Sequence, residues 1–467
     1  MVQTLAQLQA GKLTGISRLA LSENLTTFPQ QIFSLAETLT TLDLSNNALT
    51  DLPDNFPQLI KLKILFLSKN NFTHLPSILS QCPALTMISF KSNQISRIDE
   101  QSLPKKTRWL ILTDNAIPAL PDSMGDLVDL QKLALAGNQL TALPSSMKNC
   151  KKLGLMRISA NQLPYLPDWL FTLPQLAWLA FSGNPFARPE LINSDNDTII
   201  ENNQQLTTDI PDISLADFTL KDKIGEGASG VIYKAKWENT RLSSLSNNED
   251  IAVKLFKGAV TSDGYPQDEL TNSLQAGKHS GLIEVIAKVT DKKQSALIMK
   301  LIPSHFYNLG LPPSLLTCTR DTFEQGTYFS LNTIKKIALN IAKTLQHLHS
   351  NAISHGDLYA HNTMISGQSD TTSVLLGDFG AASNLSCLPK NQQQQMEYIE
   401  INAFGCLIDD LLSTTPEIER QFNSTDRLDS EKDLQLILAG ISKECMQHDI
   451  AYRPSFSNIV KQLTELN

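Results

Sequence analysis

No apolar run in the 467-residue chain approaches the ~18 residues that a membrane-crossing helix requires, so no membrane span is expected. Its six cysteines (Cys82, Cys150, Cys318, Cys387, Cys406 and Cys445) are scattered, with no Cys-x-x-Cys pair and no histidine cluster at metal-ligand spacing. Reduced buried thiols are therefore expected instead of a disulfide framework or a zinc site. Basic runs are missing too: 39 Lys and Arg stand against 47 Asp and Glu, and the net charge of −8 disfavours nucleic acid as a partner. Met1 to Leu19 lacks an uninterrupted apolar core and a cleavage-site pattern, so no secretory leader is expected and a cytoplasmic location is. Hydrophobic content of 41% with 18% charge is ordinary for globular protein, and the length calls for two or three domains.

What the chain does have, first, is an asparagine returning at a fixed interval. Asn24, Asn47, Asn70, Asn93, Asn115, Asn138, Asn161 and Asn184 are separated by 23, 23, 23, 22, 23, 23 and 23 residues. Leucine-like pairs precede most of them (Leu42-x-Leu44, Leu65-x-Leu67, Leu133-x-Leu135, Leu179-x-Phe181), and Leu-Pro steps follow many, from Leu52-Pro53 to Leu166-Pro167. Eight such units, from about residue 16 within 1–191, match the short class of leucine-rich repeat. Each should give one short strand with leucines inward, and stacking should build a curved solenoid. The asparagine amides should satisfy backbone groups where the chain leaves the strand, and the prolines should stop the strand and start the convex return. Positions between the leucines should line the concave face. Ile64, Phe66, Trp109, Ile111, Leu155 and Trp178 there are read as an exposed row for a protein partner, with Lys91, Lys132 and Arg157 nearby.

The second half changes chemistry. Gly225-Glu226-Gly227-Ala228-Ser229-Gly230 lies between two strand-like segments, Phe218 to Ile224 and Val231-Ile232-Tyr233. Residues without a Cβ let the backbone come close to phosphate oxygens. A dinucleotide-binding glycine pattern would open a helix next, whereas Tyr233-Lys234-Ala235-Lys236-Trp237 reads as strand. Lys254 ends the apolar run Ile251-Ala252-Val253 and so projects from a strand, as a phosphate cation or as a solvated lysine. Further on come His355-Gly356-Asp357-Leu358-Tyr359-Ala360-His361-Asn362 and, sixteen residues after Asn362, Asp378-Phe379-Gly380.

In this order and spacing the strings resemble the protein kinase family. The fold class implied is an α/β leucine-rich repeat solenoid plus an α+β bilobal kinase-like domain at 214–467, joined by a polar linker at 192–213. Receptor kinases with such repeats place a membrane span at this join. The cofactors implied are ATP and Mg²⁺. The resemblance implies that Ile224, Gly225, Gly227, Gly230 and Ile232 cover the nucleotide and that Lys254 meets the α/β-phosphates. Glu269 would pair with Lys254, with Asp268 open as an alternative because the spacing to His279 is one residue longer than usual. Met299 would back the adenine pocket, and Lys300 to Ile302, Leu301 included, would offer backbone groups to adenine. Ile334 to His349 would be the helix delivering the catalytic loop. Asp357 would take the acceptor hydroxyl's proton, and Asn362 and Asp378 would hold Mg²⁺.

The pattern departs in four places. Gly356 replaces the arginine that in many kinases grips a phosphorylated activation loop, so independence from loop phosphorylation is expected. Tyr359 replaces a lysine used against the transferring phosphate. Only 22 residues separate Asp378 from Glu400, which stands at an aspartate-like position before Phe404-Gly405, and Asn391 to Gln395 occupies the place of the peptide-docking platform. Arg453 lacks its usual glutamate partner and is expected to bond another acid or a carbonyl. His355 is read as structural packing, His361 as a spacer, and Pro312 to Phe323 as an unassigned insertion. The resulting expectation is an ATP-dependent protein kinase acting on serine or threonine, with the repeats choosing partner or substrate. The alternatives are a nucleotide-binding pseudokinase scaffold and, since His-Gly-Asp with a later Asn also resembles aminoglycoside and choline kinases, a small-molecule phosphotransferase.

Overall fold

The computed structural model describes residues 3–187 and 210–466, apart from 228, 247–248, 258–259, 262, 292–293, 368–371 and 416–424, with only the backbone of 425–431. Residues 188–191 of the expected array and 192–209 of the expected linker lie outside the described residues. The chain forms two compact units, Met1–Leu176 with Asn184–Phe186, and Ala177–Gly183 with Ala187–Asn467.

The first unit opens with α1 (Leu5–Gln9), started by a reciprocal cap. Thr4 Oγ1 accepts from Gln7 N at 3.2 Å, and Gln7 Oε1 accepts from Thr4 N at 3.1 Å. Seven three-residue strands follow: β1 (Arg18–Ala20), β2 (Thr41–Asp43), β3 (Ile64–Phe66), β4 (Met87–Ser89), β5 (Trp109–Ile111), β6 (Lys132–Ala134) and β7 (Leu155–Arg157). Each pairs in parallel with the next, in sequence order. The repeat period puts one residue in line through all of them: Leu19, Leu42, Leu65, Ile88, Leu110, Leu133 and Met156, each at most 1% exposed. A fully buried leucine contributes roughly 1.5–3 kcal/mol, so this column and its neighbours hold units that could not fold singly.

From Asn47 onward the asparagines do what their spacing suggested. Asn161 Nδ2 donates to Leu135 O, Ile158 O and Ser159 O at 3.0, 3.1 and 3.1 Å, while its Oδ1 accepts from Leu140 N at 3.0 Å. Asn47, Asn70, Asn93, Asn115 and Asn138 repeat the pattern across neighbouring turns. The residue before the ladder asparagine takes positive φ at Asn46, Lys69, Ser92, Asp114, Gly137 and Ala160, a conformation only glycine adopts without cost. The prolines start the convex return as expected, but they do not stop the strands. Strands end at the asparagine turn, and Pro29, Pro76, Pro121, Pro144 and Pro167 open the 3₁₀ turns of the return. Their fixed φ suits the first residues of such turns.

The second unit contains β8 (Trp178–Ala180), then β9 (Phe218–Glu226), β10 (Gly230–Trp237), β11 (Ile251–Phe256), α2 (Pro266–Ala276), β12 (Val285–Thr290) and β13 (Ser295–Lys300). The last five strands form an antiparallel sheet in the order β12-β13-β11-β10-β9. Strand alternation separates its two faces. Phe218, Trp237, Ile251, Val253 and Ile298 cluster on one, while Ala252, Phe256, Leu297 and Met299 pack with Leu270 and Leu274 of α2 on the other. After it come β14 (Tyr307–Asn308), α3 (Leu331–Ser350), β15 (Ile353–Ser354), β16 (Thr363–Ser366), β17 (Ser373–Leu376), β18 (Ser383–Asn384), α4 (Lys390–Leu412), α5 (Thr425–Cys445) and α6 (Phe456–Glu465). Ser330 caps α3, and its buried face runs Ile334, Ile337, Ala338, Ile341, Leu345 and Leu348. None of the six cysteines is in a disulfide, and burial pushes the Cys82 thiol up to about 12.

Candidate active site

Lys254 shares the α2 face of β11 with Ala252 and Phe256, because residues two apart on a strand point the same way. Its Nζ pairs with Glu269 Oε1. Glu269 precedes Leu270, the residue that seats α2 on the sheet, so packing of the helix delivers the carboxylate. The carboxylate paired with Lys254 is thus Glu269; Asp268 lies one residue earlier. Burial pushes the Glu269 carboxyl up from its ordinary value, opposed by the Lys254 charge and assisted by that of Asp378. Asp378 Oδ1 lies 3.8 Å from Lys254 Nζ. Asp378 takes φ 59°, and its Oδ1 accepts from Gly380 N at 3.2 Å, an Asx turn that aims the carboxylate.

Asp357 and Asn362 form the other side. Asn362 Nδ2 donates to Asp357 Oδ2 at 2.7 Å and to Asp357 O at 2.9 Å, and Asn362 O accepts from Gly377 N at 3.0 Å. His355, fully buried, locks this loop to the strand leading to Asp378. Its Nε2–H donates to Gly377 O at 2.8 Å, its Nδ1 accepts from Asp357 N at 3.3 Å, and its ring meets Phe379 edge-on at 5.3 Å. Those partners require the neutral Nε2–H tautomer. Lys254 and Asp378 on one side and Asn362 and Asp357 on the other are therefore joined through Gly377, the residue next to Asp378.

The three glycines differ in what they allow. A Cβ at Gly230 would sit 2.6 Å from Leu255 O, so that glycine is required by sheet packing. A Cβ at Gly227 would meet no atom within 4 Å, and one at Gly225 only Ile232 at 3.6 Å. Among the described residues nothing forbids side chains at 225 and 227, so the space they leave fits a group approaching the loop from outside. Ile224 is exposed, Ile232 and Leu301 are half-buried, and Met299 is buried on the α2 face. Asp378 and Asn362 present oxygen donors of the kind hard divalent cations take. These features fit a nucleotide with its metal.

The departures also find physical causes. Gly356 has φ 71°, and a Cβ there would lie 2.6 Å from Ala381 O and 3.0 Å from Leu179 O. Arginine is excluded by space as well as by conformation. Glu400 accepts from His349 Nε2 at 2.5 Å, Gly356 N at 2.9 Å and Ser354 Oγ at 3.3 Å. Burial would raise its carboxyl, but these donors hold it below the ordinary value. α4 begins at Lys390, so the residues Asn391 to Gln395 are the first turns of a helix. Arg453 donates to the carbonyls of Tyr398 (2.8 Å) and Gln447 (2.9 Å), and burial lowers it to about 10. The segment left unassigned docks on α4. Arg320 Nη2 meets Asp409 at 2.6 Å and Asp410 at 2.7 Å, and Asp321 Oδ2 accepts from Ala360 N at 3.0 Å.

The expected exposed row on the concave face is corrected at three positions. Trp109, Leu155 and Trp178 are 7%, 4% and 3% exposed. Lys132 lies over the Trp109 ring at 4.8 Å, and Trp178 stacks on Tyr359 with centroids 4.7 Å apart and planes 6° from parallel. Ile64, Phe66 and Ile111 stay half-buried. Tyr359 is itself only 3% exposed. Sequence reasoning picked out Trp178 as an aromatic in a repeat strand, and nothing in the sequence signalled its tyrosine partner. It missed Ser182 and Asn272 altogether.

Fold and site together define a protein kinase domain. That domain's model matches residues 218–400, and a leucine-rich repeat model matches 37–95, so the chain joins leucine-rich repeats to a protein kinase domain. It is 26% identical over 229 residues to a probable cyclin-dependent kinase 8 of Dictyostelium discoideum, covering 43% of this chain and 55% of that one. It is 23% identical over 194 residues to the serine/threonine-protein kinase PLK4 of Nematostella vectensis (41% and 18%). Over 281 residues it is 24% identical to the tyrosine kinase receptor Cad96Ca of Drosophila melanogaster (52% and 35%). The chain thus spans about half or less of the length of these relatives. No described helix is long and apolar enough to cross a membrane.

Proposed function

We propose that the protein is a Mg·ATP-dependent protein kinase that phosphorylates serine or threonine and uses its repeats to recognise a partner or substrate. The observation carrying this reading is the joining of Lys254 and Asp378 to Asn362 and Asp357 through Gly377, below a loop whose Gly225 and Gly227 leave free space. Mg²⁺ when bound supplies positive charge against the developing negative charge on the transferred group. Asn362 and Asp378 are proposed to hold it. Lys254, kept in place by Glu269, is proposed to bind the phosphates. Asp357, oriented by Asn362 and the His355 brace, is proposed to accept the proton of the acceptor hydroxyl. Ile224, Ile232, Met299 and Leu301 are proposed to enclose the adenine. Serine or threonine as acceptor follows the serine/threonine-kinase relative; the tyrosine-kinase relative makes tyrosine the competing outcome. Ile64, Phe66 and Ile111 are the proposed partner-binding residues, and the cytosol, where thiols stay reduced, is the proposed compartment.

One observation favours the scaffold reading: where serine/threonine kinases carry a phosphate-facing lysine, Tyr359 is buried against Trp178. Labelled ATP with Mg²⁺ and a generic protein substrate separates the two. Transfer that is lost in both Asp357→Ala and Lys254→Ala, by about 10² or more, supports the kinase. ATP binding without transfer from the wild type refutes it.

A further inference from the structure

We propose that the segment Ala177–Gly183 is a built-in clamp of the catalytic machinery, with Trp178 and Ser182 as positioning residues that fix α2 and the Asp357 loop relative to each other. The inference rests on the kinase reading above. The kinase-domain match begins only at residue 218, yet these seven residues belong to the second compact unit.

The segment touches all three parts of the machinery. Trp178 lies flat on Tyr359, and its indole N–H donates to Leu358 O at 2.9 Å, so it grips the two residues that follow Asp357. The Phe181 N–H donates to Ser383 Oγ at 3.1 Å, beyond the Asp-Phe-Gly turn. Ser182 Oγ donates to Ala382 O at 2.8 Å. The same carbonyl accepts from Asn272 Nδ2 at 2.6 Å, and Asn272 also lies 3.3 Å from Ser182 Oγ. Asn272 stands three residues after Glu269 on α2, so the turn of the helix carrying the Lys254 partner is tied through one carbonyl to the segment after Asp378.

The location explains why the device works without charge. Trp178, Ser182, Asn272 and Tyr359 are all at most 7% exposed, and buried hydrogen bonds meet little competition from water. A phosphate docked on an arginine is the charged way to order such a segment. Here Gly356 occupies that arginine's place, with its Cβ position closed off by Ala381 O and by Leu179 O of the clamp itself. Neutral hydrogen bonds and one aromatic stack take over the ordering.

The test compares full-length wild type with Trp178→Ala, Trp178→Phe and Ser182→Ala, below the melting temperature of each. Phosphoryl transfer and the KM for ATP are measured alongside amide hydrogen exchange of residues 266–276 and 355–362. Trp178→Ala and Ser182→Ala are expected to lower kcat by about tenfold or more with KM for ATP changed by less than about threefold. Exchange in both stretches should quicken by a similar factor, and Trp178→Phe, which keeps the stack, should recover most of the loss. Should Trp178→Ala fail to fold, Ser182→Ala, which removes a single hydroxyl, decides. Wild-type kcat and wild-type exchange in Ser182→Ala and Trp178→Ala overturn the clamp and leave the kinase reading untouched. A wild type that transfers no phosphate refutes the kinase reading alone, and unchanged exchange at 266–276 in the variants then overturns the clamp.

Discussion

Replacing Gly356 by alanine probes how closely the catalytic loop, the Asp-Phe-Gly region and segment 177–183 are fitted together. Two costs arise. The residue holds φ 71°, which costs an L-amino acid roughly 1–2 kcal/mol. The new Cβ would approach Ala381 O to 2.6 Å and Leu179 O to 3.0 Å, and both are backbone atoms that cannot rotate away. Forcing a methyl group into such packing costs about 1–3 kcal/mol. The sum is roughly 2–5 kcal/mol, which corresponds to a fall on the order of 10 °C in the melting temperature of the catalytic half. Thermal unfolding followed by near-ultraviolet circular dichroism suits the measurement, since the Trp178–Tyr359 stack reports on this region. Gly356→Arg should lose at least as much and should not gain activity on phosphorylation, because its side chain has no room beside Ala381. A Gly356→Ala protein melting within about 2 °C of wild type would refute the steric argument and with it the explanation of the missing arginine.

Asn161→Ala should destabilise the repeat array by roughly 3–5 kcal/mol in urea unfolding, because four buried backbone partners lose their bonds. Asn47→Ala, at a half-buried position where water can replace the amide, should cost clearly less; equal losses would argue against the ladder's energetic role. Glu400 carries a lowered folded pKa, so its contribution is present above about 4.5 and is lost as pH falls through the folded value. Glu400→Gln should therefore be less stable than wild type at neutral pH, and the gap should narrow below pH ~4.5; a pH-independent gap would show that the carboxylate's charge is not what matters.

The repeats were legible because their signal is periodic and local: the interval in the asparagines fixes strand, turn and core column at once, and each asparagine meets only neighbouring repeats. Lys254, Asp357, Asn362 and Asp378 could be picked from the sequence as a candidate set by their residue types and spacing, and the structure brings them to one place. Glu269 was harder to choose over Asp268, since spacing along the chain differs by one residue and only the packing of Leu270 and Leu274 fixes which carboxylate faces the sheet. Of the two proline roles expected, the start of the return holds and the strand stop does not, because fixed φ fits both and sequence does not say where the strand has already ended.

The sequence by itself determined which chemistry was available: an array with an asparagine ladder, a glycine loop, a lysine and three polar residues suited to phosphate transfer. Tertiary structure alone decided what the departures mean. Gly356 is dictated by the backbone crossing above it, and Tyr359 is covered by an indole 181 positions earlier in the chain. Such contacts join residues far apart in sequence through close packing, and no local pattern of residue types encodes which distant atoms will share the same space.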